Sequence, residues 1–199
     1  MKRDVKMLEE ISALFIKSGA KTVTMDDIAR EFGISKKTLY QKYKNKEVLQ
    51  EEVLMHSIEK LLLKMKGLDN KIDNAVERMF ARDQEIENMS ETNDSIMIRQ
   101  LTKYYPQIFN KHMLYFTESF SEILIDNIKR GRKQKLYREN FDEVMYAKLF
   151  AQLVMTYHTS PVLDRKEITR DNYHQQSLDF YMNAITTDKG KAIMENLAS

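Results

Sequence analysis

Residues 24–47, TMDDIAREFGISKKTLYQKYKNKE, constrain this chain most, because they encode two short helices joined by a single glycine turn. Thr24 has the residue type and position of an N-cap, with Asp27 three residues on, and Ile28, Ala29 and Phe32 form the apolar side of the first helix. Gly33 supplies the bend, and Ser35 caps the second helix. Leu39 and Tyr43, four apart, turn inward and leave Lys36, Lys37, Tyr40 and Lys42 on an outward face that is basic and rich in hydrogen-bonding groups.

The surrounding chain points to an all-α fold. It has 199 residues, 42% of them hydrophobic, enough to bury a core. Only 5 Gly and 2 Pro occur, and the Asn-Gly and Asp-Gly hairpin pairs are absent, which argues against a sheet-rich fold. No apolar run approaches the roughly 18 residues of a membrane span, and the amino terminus alternates charge where a signal peptide would be apolar, so a cytoplasmic protein without membrane contact is expected. The absence of Cys excludes disulfides and thiolate chemistry. Charge is unevenly placed: residues 1–50 carry 11 Lys+Arg against 7 Asp+Glu, the remainder 21 against 23. A basic amino-terminal patch attracts polyanions, although a solvated helical surface reaches the same excess.

Periodicity predicts about nine helices. The first covers 4–18, with Met7, Ile11, Leu14 and Phe15 inward and Gly19 past its end. After the pair at 24–43, Asn45 caps a fourth helix whose stripe is Leu54, Ile58, Leu61 and Met65, stopped by Gly67 and long enough to join two domains. A fifth carries Ile72, Val76, Met79 and Phe80, a sixth spans about 94–105, and a seventh ends near Gly131. Asn140 and Glu143 form a capping-box pattern opening an eighth helix that ends at Pro161. A polar connection containing Asp164, Arg165, Lys166 and Glu167 precedes a ninth from about 171. The expected plan is an amino-terminal three-helix domain over 1–48 and a larger helical body over 49–199.

At residues 24–47 the chain resembles the TetR family of bacterial transcriptional regulators, whose signature runs roughly T-h-x-x-I-A-x-x-x-G-[VI]-S-K-G-T-[LI]-Y-x-[HY]-F-x-[SN]-K-E. Thr24, Ile28, Ala29, Gly33, Ile34, Ser35, Lys36, Thr38, Leu39, Tyr40, Asn45, Lys46 and Glu47 fit it, while Lys37, Lys42 and Tyr43 stand where Gly, His and Phe are usual. The resemblance implies a helix-turn-helix that enters the major groove. Only the first turns of such a helix reach base edges, which assigns Ser35, Lys36, Lys37 and Thr38 to reading and Tyr40 and Lys46 to phosphates, with Thr24 and Lys42 in the same DNA-contacting set. It also implies a homodimer on a palindromic double-stranded operator, packed through residues 142–160 and 171–186 by Tyr146, Phe150, Tyr157, Phe180 and Tyr181. These residues serve equally as monomer core.

Ten of the 13 Met follow residue 50, interleaved with aromatics. Phe80, Met97, Tyr104, Phe109, Met113, Phe116, Phe120 and Met155 suit a cavity for a small apolar or amphipathic ligand, and suit an ordinary core as well. The basic run Lys129, Arg130, Arg132, Lys133 and Lys135 reads as the solvated end of helix seven. An enzyme is the competing class, but the four His are scattered, and no H-E-x-x-H pair, G-x-S-x-G elbow, phosphate-binding Gly loop or paired Glu-x-x-His motif occurs. The expectation is a repressor, without catalytic residues, metal or cofactor, that a small-molecule ligand releases from its operator. A ligand-blind or activating DNA-binding protein of the same fold is the alternative.

Overall fold

The computed structural model describes residues 4–93, 96–160, 162–164 and 167–198. The expected helix start at 94, the stop at Pro161, and Arg165 and Lys166 of the polar connection lie outside the described residues. Ten helices occur among those described, one more than periodicity predicts, and they divide into two compact units.

The first unit takes in residues up to Leu61 together with 88–115. Helix α1 (Val5–Ser18) is capped by the Asp4 carboxylate, which accepts from the amide of Met7, and buries Met7, Leu8, Ile11 and Phe15. Helices α2 (Met25–Glu31) and α3 (Lys36–Lys42) meet across Gly33, whose φ of 60° is open to a residue without Cβ at little cost. Ile28, Leu39 and Tyr43 are buried as their spacing predicts. Helix α4 (Lys46–Leu68) starts in this unit, with the Asn45 carboxamide accepting from the amide of Val48, and ends in the second unit. It runs through Gly67 rather than stopping there. Helix α6 (Ile96–Tyr104) packs on α1. The approach is close enough that a Cβ on Gly19, itself at φ 90°, would overlap Gln100 and Ile96.

The second unit comprises residues 62–87 and 116–198. Helix α5 (Ala75–Asn93) begins after Asn74, whose side chain accepts from the amides of Val76 and Glu77; Ile72 therefore precedes the helix instead of opening its stripe. Helix α7 (Pro106–Lys133) ends near Gly131, as expected; a side chain at that glycine would occupy the ring of Tyr137, and Lys135 follows in the left-handed region (φ 60°). Helix α8 (Glu143–Thr159) is capped by Asp142, which accepts from Met145 at 2.7 Å, and not by Asn140, which accepts from Arg138. Helix α9 (Arg170–Ile185) is capped by Thr169, and α10 (Asp188–Ala198) follows. The core stacks Phe116 on Phe120 and Phe150 on Tyr181.

The basic run near the end of α7 is not simply solvated. Arg130 pairs with Asp73 at 2.5 Å, and Arg132, half-buried against the Phe141 ring, bonds Glu143 and the Phe141 carbonyl, each at 2.6 Å. These cations close turns, which is why they cluster where three segments end. Among the described residues no helix is long and apolar enough to cross a membrane.

Candidate nucleic-acid interface

Each helix of the α2–α3 pair is started by its own side chains. The Thr24 hydroxyl accepts from the amide of Asp27 at 3.1 Å and donates to its carboxylate at 2.7 Å, and that carboxylate accepts from the Thr24 amide at 3.0 Å. The Thr24 bonds hold the Asp27 carboxyl below its ordinary range, with Arg30 adding to the effect. Thr24, expected among the DNA contacts, is thus spent on the cap. The Ser35 hydroxyl accepts from the amide of Thr38 at 3.0 Å and lies 2.7 Å from the Thr38 hydroxyl, so the exposed start of α3 is rigid before any partner arrives.

The cations of this face differ in availability. Lys36 is paired with Asp26 at 2.7 Å, and that hydrogen bond raises its pKa. Among the described residues Lys37 and Lys44 are exposed with no ion pair, and Tyr40 is 44% exposed with no partner for its hydroxyl. Lys44 was not singled out from the sequence, although the run KYKNK contains it. Lys42 departs from expectation: it pairs with Asp4 at 3.0 Å and also reaches the Met7 sulfur, so it braces α3 against the start of α1. Lys46, the first residue of α4, is half-buried. Its ammonium donates to the Lys21 carbonyl at 2.7 Å, and burial lowers its pKa. Its other two N–H groups have no partner among the described residues and lie beside the first turn of α4, where free amides favour an anion.

Behind this face stands a residue that no sequence pattern signals. Gln100 of α6 accepts from the Lys21 amide at 2.5 Å and donates to the Thr22 hydroxyl at 3.2 Å, while the Lys21 ammonium lies 3.6 Å from the Tyr104 ring centroid. Tyr104 is therefore an exposed, cation-covered ring rather than a cavity wall.

The other residues expected around a ligand are shared between the units. Met97 and Phe109 are buried and Met113 half-buried in the first; Phe116 and Phe120 are buried, and Phe80 and Met155 half-buried, in the second. Stripes at helical spacing mostly fill cores, and these do. Phe80 lines an open groove of about 820 Å³ in the second unit, with Asp83, Asp171, Asp179, Leu178, Met194 and Glu195.

The residues expected at a dimer contact also sort differently. Phe150, Tyr157 and Tyr181 are buried within this chain, and Tyr146 packs on Phe141. Phe180 alone of the five stands out, 70% exposed, with Met145 and Leu149 exposed on the outer stripe of α8. The stripe that includes Phe150 and Tyr157 faces inward, so any partner would meet the opposite one.

Residues 8–53 match the sequence profile of the tetR family of bacterial regulatory proteins. No curated protein sequence matches the chain. Among solved structures, a transcriptional regulator from Cytophaga hutchinsonii superposes with a TM-score of 0.78 at 16% identity, covering 92% of this chain and 97% of that one. NemR of E. coli in its reduced form gives 0.72 at 13% identity, over 93% and 98%. SmeT, the repressor of a Stenotrophomonas maltophilia multidrug efflux pump, gives 0.70 at 13%, over 94% and 92%. At these identities the likeness establishes the fold.

Proposed function

We propose that this chain, a DNA-binding transcriptional regulator by the match of its residues 8–53 to the tetR family, is a homodimeric, cytoplasmic repressor released from a palindromic operator by a small ligand. The observation that carries the reading is the pre-capped start of α3, with Lys37 and Tyr40 exposed beside the amino terminus of α4. Ser35, Lys36, Lys37 and Thr38 read bases, and Tyr40, Lys44 and Lys46 hold phosphates. One such head spans about half a turn of groove, so two copies place their half-site centres about 34–36 Å apart or at a multiple of it. Residues 1–48 act as the reading head and 49–199 as the sensing and pairing body; catalysis has no part in this role.

Release requires that the ligand favour a state in which the heads no longer match the operator. The contacts of α6 and α4 with Lys21 support a route for that change, since both grip the loop before α2. Selection of bound DNA from a random library tests the proposal. Enrichment of an inverted repeat is the expected result, and enrichment of no sequence would overturn it.

A further inference from the structure

Arg82 lies on the inward stripe of α5 with Ala75, Arg78 and Met79, where helical spacing calls for an apolar residue. It is 1% exposed and Arg78 is 4% exposed. Arg78 is fully used by the turn before α5: its Nε donates to the Ile72 carbonyl, its Nη2 to the Asp69 carbonyl, and its Nη1 lies 3.3 Å from the Asp69 carboxylate. Arg82 donates through Nη2 to that same carboxylate oxygen, while its Nε and Nη1 are buried without an acceptor among the described residues. A guanidinium does not give up its charge in a protein. Two of them therefore share one carboxylate, and one positive charge with three N–H donors is enclosed in the second unit.

Other polar atoms of this unit are also incomplete. Among the described residues the Tyr181 hydroxyl and the Asn127 Oδ1 are buried without partners. Asn127 donates to the Tyr137 oxygen at 3.1 Å, and the Tyr137 hydroxyl donates to the Ala75 carbonyl at 2.8 Å, one face-turn from Arg78 on α5. Asn127 and Tyr137 both donate to the Ala75 carbonyl, at 3.0 and 2.8 Å, and Ala75 stands on the same stripe of α5 as Arg82.

We propose that Arg82 anchors a binding site for a monoanionic carboxylate carried on an apolar body, an organic acid. One negative charge cancels the excess left by Arg78, Arg82 and Asp69, whereas a phosphate dianion overshoots it. A carboxylate also offers the several lone pairs that the free N–H groups need, and charge-assisted bonds to a guanidinium are strong. Water would satisfy the N–H groups but leave the charge. Ala75, Val76 and Met79 of α5 and Phe120 of α7 are buried in the same unit and make its interior apolar, as the rest of such a molecule requires. The inference rests on the ligand-responsive reading above and gives its effector a chemical class.

The test uses the full chain without DNA and matched probes, octanoate against octanamide and benzoate against benzamide, at millimolar concentration. At least one carboxylate should raise the unfolding temperature in a dose-dependent manner while its amide does not, and a crystal grown with it should place a carboxylate oxygen within hydrogen-bond distance of Arg82 Nε or Nη1. Arg82→Lys, which keeps the charge and loses that geometry, should weaken the response at least tenfold, and Arg82→Met should abolish it. Equal effects of acid and amide, an unchanged response in Arg82→Lys, or water alone at Arg82 would overturn the site. If the variants do not fold, the wild-type pairs and the crystal decide. A gel shift on the selected operator separates the two readings: DNA binding without carboxylate stabilisation removes the site and keeps the regulator, and carboxylate binding that leaves DNA bound removes the link to release.

Discussion

The ammonium of Lys46 donates to the carbonyl oxygen of Lys21 at 2.7 Å, joining the first residue of α4 to the loop between α1 and α2. The amide of that same Lys21 donates to Gln100 on α6. Both backbone polar groups of one loop residue are thus held by side chains from elsewhere, and the amino-terminal end of α4 is set by a contact that helix geometry alone does not supply.

Lys46→Ala removes a cation with two free N–H groups beside the α4 amino terminus. Binding should weaken alike for all DNA sequences, and the slope of log K against log salt should shrink by about one. Titrations at several salt concentrations check this; a wild-type slope would remove Lys46 from the phosphate contacts.

Lys36 is occupied by Asp26, whereas Lys37 is not. Asp26→Asn should free Lys36 and remove a carboxylate from the DNA side, raising affinity for non-specific DNA. Lys37→Ala should instead relax preference at one base pair of each half-site, by about 1–3 kcal/mol if Lys37 contacts a base edge. Competition binding against single-base operator variants separates the two outcomes, and uniform weakening by Lys37→Ala would make it a phosphate contact.

Phe180 is exposed while Phe150 stacks on Tyr181 at 4.3 Å between centroids. Phe180→Asp should give a folded monomer by light scattering, without loss of helical circular dichroism. Phe150→Ala should cost about 3–5 kcal/mol of stability through a core cavity. A Phe180→Asp protein that stays dimeric at micromolar concentration would move the interface off this face.

Lys135 ends α7 at a φ of 60°. A side chain in the left-handed region costs about 1–2 kcal/mol relative to glycine's freedom there. The Lys135→Gly variant also gains entropy in the unfolded chain, so the net stabilisation should be below about 1 kcal/mol. Thermal unfolding checks the sign, and a lowered midpoint would mean that the lysine stem itself packs.

Burial raises the Tyr43 phenol from 10.0 to about 12, with smaller contributions from Glu52 and Asp4. The unfolded chain ionises this phenol first, so the stability it carries is intact below pH 10 and is lost as pH rises through 12. Tyr137 and Tyr181, raised by burial as well, act in the same direction. Tyr43→Phe should make the loss of stability above pH 10 shallower. Urea melts at pH 8 and above 10 measure it, and an unchanged pH dependence would count against a buried neutral phenol.

The helix caps at Thr24 and Ser35 were legible because a cap is an interaction between residues three apart. Asp142 was missed beside Asn140 because two capping types two residues apart compete, and Asn140 instead accepts from Arg138 while Asp142 takes the Met145 amide. The tenth helix had no assigned stripe. The bracing of Lys42 on Asp4, the Lys46 bond to Lys21 and the whole role of Gln100 beside Thr22 were unseen because these partners lie 38, 25 and 78 residues away.

By itself the sequence determined the all-helical class, the capped α2–α3 pair and its inner scaffold, since these depend on contacts within one or two helical turns. Only the tertiary structure decided which cations are spent on the fold, which aromatics are core rather than surface, and that Arg82 is enclosed with donors to spare. Periodicity tells a residue which face it shares, but the segment that covers that face comes from elsewhere in the chain, and its burial and charge set what each side chain can do.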